Sequence, residues 1–180
     1  MVPDLVIADP SLVVGLPPFL TAATGMDALA HNLEAYCAPG FHPMADGIAL
    51  EGLRLIKENL LIAYQNGQDL TARANLMAAS IMGGSAFQKG LGAVHSLSHP
   101  VGAIYDHHHG LLNAIFMPYV LRFNKSDIEA KMRTLAQYLG LASPSTKAVI
   151  KWLVSLSEQM DIPRQLSSLN VDEQYIDTIV

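Results

Sequence analysis

Charge is scarce in this chain, and cysteine scarcer still. Only 15% of the 180 residues are Asp, Glu, Lys or Arg, against about a quarter in an average soluble domain. A surface so poor in charge is expected to pack against another domain or another subunit, and a homo-oligomer is expected. The 11 basic residues are outnumbered by 16 acidic ones, for a net charge of −5. Without a basic stripe, nucleic acid is a poor partner. The single cysteine, Cys37, has no second thiol to pair with, which fits a reducing cytoplasm. No apolar run reaches the ~18–20 residues of a membrane span. No basic region followed by an apolar core opens the chain, so no secretory signal is expected. Strand-like patterning is nearly absent as well, and only residues 3–9, PDLVIAD, read as a strand.

What is abundant is apolar and helix-forming. The chain is 51% hydrophobic, with Ala, Leu, Ile and Met prominent, and all of these but Ile are strong helix formers. That suits one well-buried all-α domain. Thr24 is a plausible N-cap for a helix running to about Cys37, before Pro39-Gly40. A second helix starts near Pro43 and ends before Gly67. Its apolar residues (Ile48, Leu50, Leu53, Leu55, Ile56, Leu60, Leu61) spread wider than a surface stripe, which places it centrally. Further helices are expected over 69–88, over 90–105 (loosened by Pro100 and Gly102), and over 110–124, with Pro118 as a kink or stop. Two more follow over 125–140, capped by Ser126 or Asp127 and closed by Gly140, and over 146–161, ahead of Pro163. Another begins at Asn170, with Glu173 three residues on. A lone strand cannot complete its hydrogen bonds. Residues 1–15 therefore read as a strand and linker that either pairs with another chain or is the remnant of a missing domain, and residues 16–180 as a helical domain that looks cut at its C-terminus.

Five of the seven histidines fall within residues 95–109, in the stretch HSLSHPVGAIYDHHHG. Asp27 and His31 are four apart on one expected helix, so they share a face at ~5–6 Å between Cβ atoms. His95 and His99 repeat that spacing. His109 lies fourteen residues after His95, across an expected turn. One carboxylate and three imidazoles, from Asp27, His31, His95 and His109, suit a divalent transition ion such as Fe²⁺ or Zn²⁺. They do not suit Mg²⁺ or Ca²⁺, which take oxygen ligands. Such a site keeps about one net positive charge, which can stabilise an alkoxide.

Plainer readings stand beside this one. Asp27, three residues after Thr24, also suits a helix N-terminus, and His31 alone suits a histidine bonded to a backbone carbonyl. His107 and His108 sit in a turn and read as solvated, and His42 has no assigned role. Cys37 reads as a small buried residue. Ser96 and Ser98 beside His99 offer a nucleophile and base, without a local oxyanion motif. Gly83-Gly84-Ser85 is no phosphate loop, since no strand precedes it and no Gly-Lys-Ser/Thr follows. An all-helical metallohydrolase would need a nearby cation, and Lys89 is the only basic residue close to the motif.

Two stretches, TAATGMDALAHNLEAY and GLGAVHSLSHPVGAIYDHHHGLLNAIFMPYVLRFN, resemble the signature regions of the iron-containing (group III) alcohol dehydrogenases. The resemblance extends over essentially the whole chain. It implies a dehydroquinate synthase-like helical C-terminal domain, with the NAD(P)-binding α/β domain missing. It implies metal ligation by Asp27, His31, His95 and His109, with Fe²⁺ as the ion and Zn²⁺ as the alternative. It also implies His99 as a proton-relay or positioning residue beside the nicotinamide and a small alcohol or aldehyde. In the full-length protein the metal-bound alkoxide would give hydride to NAD(P), whereas this fragment alone would be inactive and bind no NAD. Zinc-dependent glycerol dehydrogenase-like or dehydroquinate synthase-like enzymes are the nearest alternatives. The DHHHG run is richer in histidine than the family pattern, so His108 competes with His109 for the last ligand position.

Overall fold

In a computed structural model the described residues are 4–171, and they form seven α-helices with no strand among them. These are α1 (Pro18–Cys37), α2 (Pro43–Gln65), α3 (Leu70–Ala86), α4 (Ala93–Tyr105), α5 (His109–Phe123), α6 (Lys125–Tyr138) and α7 (Thr146–Gln159). Short 3-10 turns cover Pro10–Val13, Phe87–Lys89 and Leu166–Leu169. The helix expected from Asn170 onward lies outside the described residues.

Local chemistry sets most of the boundaries. Asp69 and Ser145 cap α3 and α7 by accepting from Ala72 N and Ala148 N at 2.9 and 3.2 Å. His42 takes the same role for α2, its Nδ1 accepting from Ala45 N at 3.2 Å. Gly140, at φ +62°, closes α6 in the left-handed conformation that glycine adopts without a Cβ clash. Three expectations are corrected. Thr24 does not cap α1, which starts six residues earlier at Pro18, because proline at the first helical position lacks only an N–H that has no partner there. Thr24 instead turns its hydroxyl back to Leu20 O at 2.7 Å. α6 starts at Lys125 behind Asn124, so neither Ser126 nor Asp127 caps it. Residues 4–9 take no regular structure, and Leu5, Val6 and Ile7 are exposed, since an extended segment is a strand only when another pairs with it. Pro100 and Pro118 sit inside continuous helices.

The central helix is α1, not α2. α1 packs against α2, α3 and α5 and touches α6, whereas α2 buries a single face built on Ala49, Leu53, Ile56, Leu60 and Ala63. Small residues let α1 come this close: a Cβ on Gly25 would run into the Leu60 side chain. Met26, Leu29 and Leu33 of α1 meet Met117, Met132, Leu135 and Leu153 in one core, all at 1% exposure or less. Each such side chain contributes about 1.5–3 kcal/mol by leaving water. The segment before α1 is clamped by Arg73, which donates to Gly67 O, Thr21 Oγ1 and Leu16 O at 3.0, 2.8 and 3.1 Å.

Candidate metal centre

The core described above brings the N-terminal ends of α4 and α5 against the middle of α1. Asp27 and His31 project from α1, His95 and His99 from α4, and His109 is the first residue of α5. Gly110 makes the approach of α5 workable, because a Cβ there would sit 2.1 Å from Ala23 O and 2.9 Å from Asp27 Cβ. Asp27 lies well beyond the first turn of α1, so its carboxylate does not serve the helix N-terminus. Its Oδ2 is 3.8 Å from His31 Nδ1, while its Oδ1 is 3.8 Å from His95 Nε2 and 3.5 Å from His109 Nε2. Asp27, His31 and His95 offer ligand atoms that all lie within 4.8 Å of one another. His109 joins this set through Asp27.

The imidazoles form a graded stack. His31 stacks on His95 with ring centroids 4.7 Å apart, and His99 on His109 at 5.0 Å. His95 is buried, His31 and His109 are half-buried, and His99 is exposed, so the cluster opens to solvent at the His99 end. Burial holds His31 and His109 below the ordinary imidazole pKa, outweighing the opposite pull of the Asp27 charge. The neutral form so favoured is the one that can donate a lone pair to a cation.

Neighbours fix which nitrogen each ring presents. Glu34, buried on α1, accepts from His95 Nδ1 at 2.6 Å, which leaves His95 Nε2 bare toward Asp27. The same carboxylate accepts from Val94 N at 2.7 Å and His95 N at 3.4 Å, capping a helix whose own N-cap, Gly92, has no side chain to do so. Burial by itself would raise the Glu34 pKa. Hydrogen bonds from His95, Gly92 and Val94 outweigh it and hold the carboxyl below the usual glutamate range. Ser98, fully buried, donates to His95 O and lies 3.4 Å from His109 Nδ1, so it is engaged as a ring support rather than as a nucleophile. Asn113, also fully buried, sends its amide nitrogen to Asp27 Oδ1 at 2.7 Å.

Neither Glu34 nor Asn113 is among the residues that the sequence points to. A signal existed for both: Glu34 is three residues after His31, and Asn113 four after His109, the spacings that share a helix face. The remaining histidines are employed elsewhere. His108 caps α5, its Nδ1 accepting from Gly110 N at 3.2 Å. His107 is half-buried, not solvated, and its Nε2 lies 2.8 Å from Leu169 O. Lys89 is tied to Asp46 at 2.5 Å with its side chain buried, which removes the cation that a phosphate-ester hydrolase would need. A cavity of about 450 Å³ lies beyond Glu34, lined by Leu33, Cys37, Met117, Val120 and Lys131 among others, and none of the histidines reaches it. Burial pushes the Cys37 thiol there up to about 12, outweighing the opposing Lys131 charge, so it stays protonated and inert.

Comparison with known proteins gives the chain's relatives. Residues 21–180 match the profile described as the Fe-containing alcohol dehydrogenase family, C-terminal. The chain is 44% identical over 192 residues to a 4-hydroxybutyrate dehydrogenase of Cupriavidus necator, covering 100% of this chain and 49% of that protein. It is 41% identical over 172 residues to alcohol dehydrogenase 4 of Saccharomyces cerevisiae, covering 94% and 45%. Among solved structures, a 1,3-propanediol oxidoreductase superposes with a TM-score of 0.91 at 37% identity, over 95% of this chain and 47% of that one. A sulfoacetaldehyde reductase from Bifidobacterium kashiwanohense, in complex with NAD+, gives 0.87 at 27% identity, over 95% and 45%. The chain thus spans about half the length of the curated relatives it matches.

Proposed function

The chain belongs to the iron-containing alcohol dehydrogenase family, and from that premise we propose that it is the metal-carrying helical domain of an NAD(P)-linked alcohol dehydrogenase. Its partner is a nucleotide-binding domain, and its substrate a small primary alcohol or the matching aldehyde. The names of its relatives, which act on 4-hydroxybutyrate and 1,3-propanediol, support that substrate class. Asp27, His31, His95 and His109 would hold the ion, Fe²⁺ or, as the alternative, Zn²⁺. The observation that carries the reading is the approach of Asp27 to three imidazoles from three separate helices, at 3.5–3.8 Å.

The donor set fits such an ion: neutral nitrogen and one carboxylate suit a borderline transition cation. Buried Glu34 and Ser98 stand behind the rings, as outer partners of metal-ligating histidines usually do. When bound, the ion supplies Lewis acidity toward an alcohol or carbonyl oxygen, and the nicotinamide exchanges the hydride. The protein's own part is position and proton traffic. Glu34 holds His95 in the tautomer that turns Nε2 to the site. Gly110 lets α5 deliver His109. His99, outermost of the stacked rings, is the group suited to take the alcohol's proton and pass it to solvent.

Joined to a nucleotide-binding domain, the wild-type protein is expected to contain about one transition ion per chain and to reduce NAD(P) with an alcohol. His31→Ala should lose ion and activity together. Full turnover by a metal-free His31→Ala protein, measured by elemental analysis and absorbance of the reduced nicotinamide, would refute the proposal.

A further inference from the structure

Asn113 is completely buried, yet its side-chain carbonyl oxygen has no hydrogen-bond partner. Buried polar atoms are rarely left in that state. The other end of the same amide is crowded with acceptors. Its Nδ2 lies 2.7 Å from Asp27 Oδ1, 3.0 Å from His109 Nε2 and 3.3 Å from His95 Nε2. Those three atoms come from α1, α5 and α4, and each belongs to a residue assigned above to the ion. The amide therefore gives up its carbonyl to aim its nitrogen.

The orientation is fixed by chemistry. Turned the other way, the amide oxygen would face a carboxylate oxygen and two ring lone pairs, with no hydrogen between them. His95 Nδ1 is occupied by Glu34, and His109 Nδ1 lies beside Ser98, so both rings present Nε2 as an acceptor. An amide nitrogen cannot ligate a cation, because its lone pair is delocalised into the carbonyl. It has two N–H groups for three acceptors. One goes to Asp27 at the short distance typical of a charge-assisted bond, and the second is shared between the two imidazoles.

We infer that Asn113 is a positioning residue for metal loading. Its amide sets the direction of the Asp27 carboxylate and lies against the His95 and His109 lone pairs. The inference rests on the metal-site reading above and adds a residue to it.

The test titrates the chain with Co²⁺ against a chromophoric chelator and records the visible absorption bands of the loaded protein. The proteins compared are wild type, Asn113→Ala, Asn113→Leu, His95→Ala and the remote core variant Leu153→Ala. Both Asn113 variants should bind on the order of 10–100-fold more weakly than wild type, with shifted cobalt bands. Leu153→Ala should lower the melting temperature while keeping wild-type affinity and spectrum, which separates positioning from general loss of stability. Should the alanine variant not fold, the nearly isosteric leucine variant carries the measurement. Folded Asn113 variants with wild-type affinity and spectrum would overturn the inference and leave the metal site standing. A wild-type chain that binds no more cobalt than His95→Ala would overturn both.

Discussion

Glu34 does three things with one carboxylate. It caps α4 through Val94 N and His95 N, orients the His95 ring through Nδ1, and brings negative charge to a helix N-terminus. Each would be a modest contribution alone. Together they are coupled, because the capped turn carries the ring being oriented. Removing the carboxylate loses the cap and leaves a buried ring N–H unpaired. Glu34→Ala is therefore expected to cost about 2–4 kcal/mol, the sum of a lost cap and an orphaned donor. In a chain of this size that is a fall of roughly 5–15 °C in melting temperature. Calorimetric scans of both proteins decide it, and a variant melting with wild type would show that His95 is held by other means.

Among the elements, α5 is where sequence and packing meet most tightly. Gly110 follows His109 and faces Ala23 and Asp27 across the α1–α5 contact. Neither neighbour can yield cheaply, since the nearest atom is a backbone carbonyl of the central helix. Gly110→Ala must push the start of α5 away from α1, carrying His109 with it. The expected outcome is a loss of about 1–3 kcal/mol or more from overpacking, with weakened Zn²⁺ binding. Chemical denaturation and chelator competition measure the two separately, and wild-type values in both would show that the helices separate freely. The helices themselves are largely legible in the sequence, because Pro43, Gly67 and Gly140 punctuate them with familiar chemistry. The start of α1 is not, since Thr24 reads as its cap although Pro18 serves well at the first helical position. The approach of Asp27 and His31 to His95 is legible from repeated helical spacing, and that of His109 from the turn that precedes it. Glu34 and Asn113 are not, although they share the right faces. Glutamate and asparagine usually point to water, and only the crossing of α4 and α5 over α1 buries these two.

For the molecule as a whole, the site is a joint between helices before it is a place for chemistry. Its proposed donors come from α1 and from the consecutive helices α4 and α5 much later in the chain, and holding them near one point means holding the fold closed there. Acceptor atoms of Asp27, His95 and His109 gather around a single amide nitrogen. An ion that binds only the folded arrangement stabilises it by mass action, by about 2.7 kcal/mol at a hundredfold excess over its dissociation constant. For a chain of 180 residues, that corresponds to an upward shift of roughly 5–10 °C. The 180-residue chain needs no nucleotide or alcohol to show it, because all four proposed donors lie within it. Melting the chain with EDTA and then with graded Zn²⁺ or Co²⁺ should trace this rise. His95→Ala, deprived of the most buried ring, should melt at the same temperature with or without metal. Equal shifts in wild type and His95→Ala would locate the stabilising ion elsewhere, and a flat response in both would mean that these helices close without one.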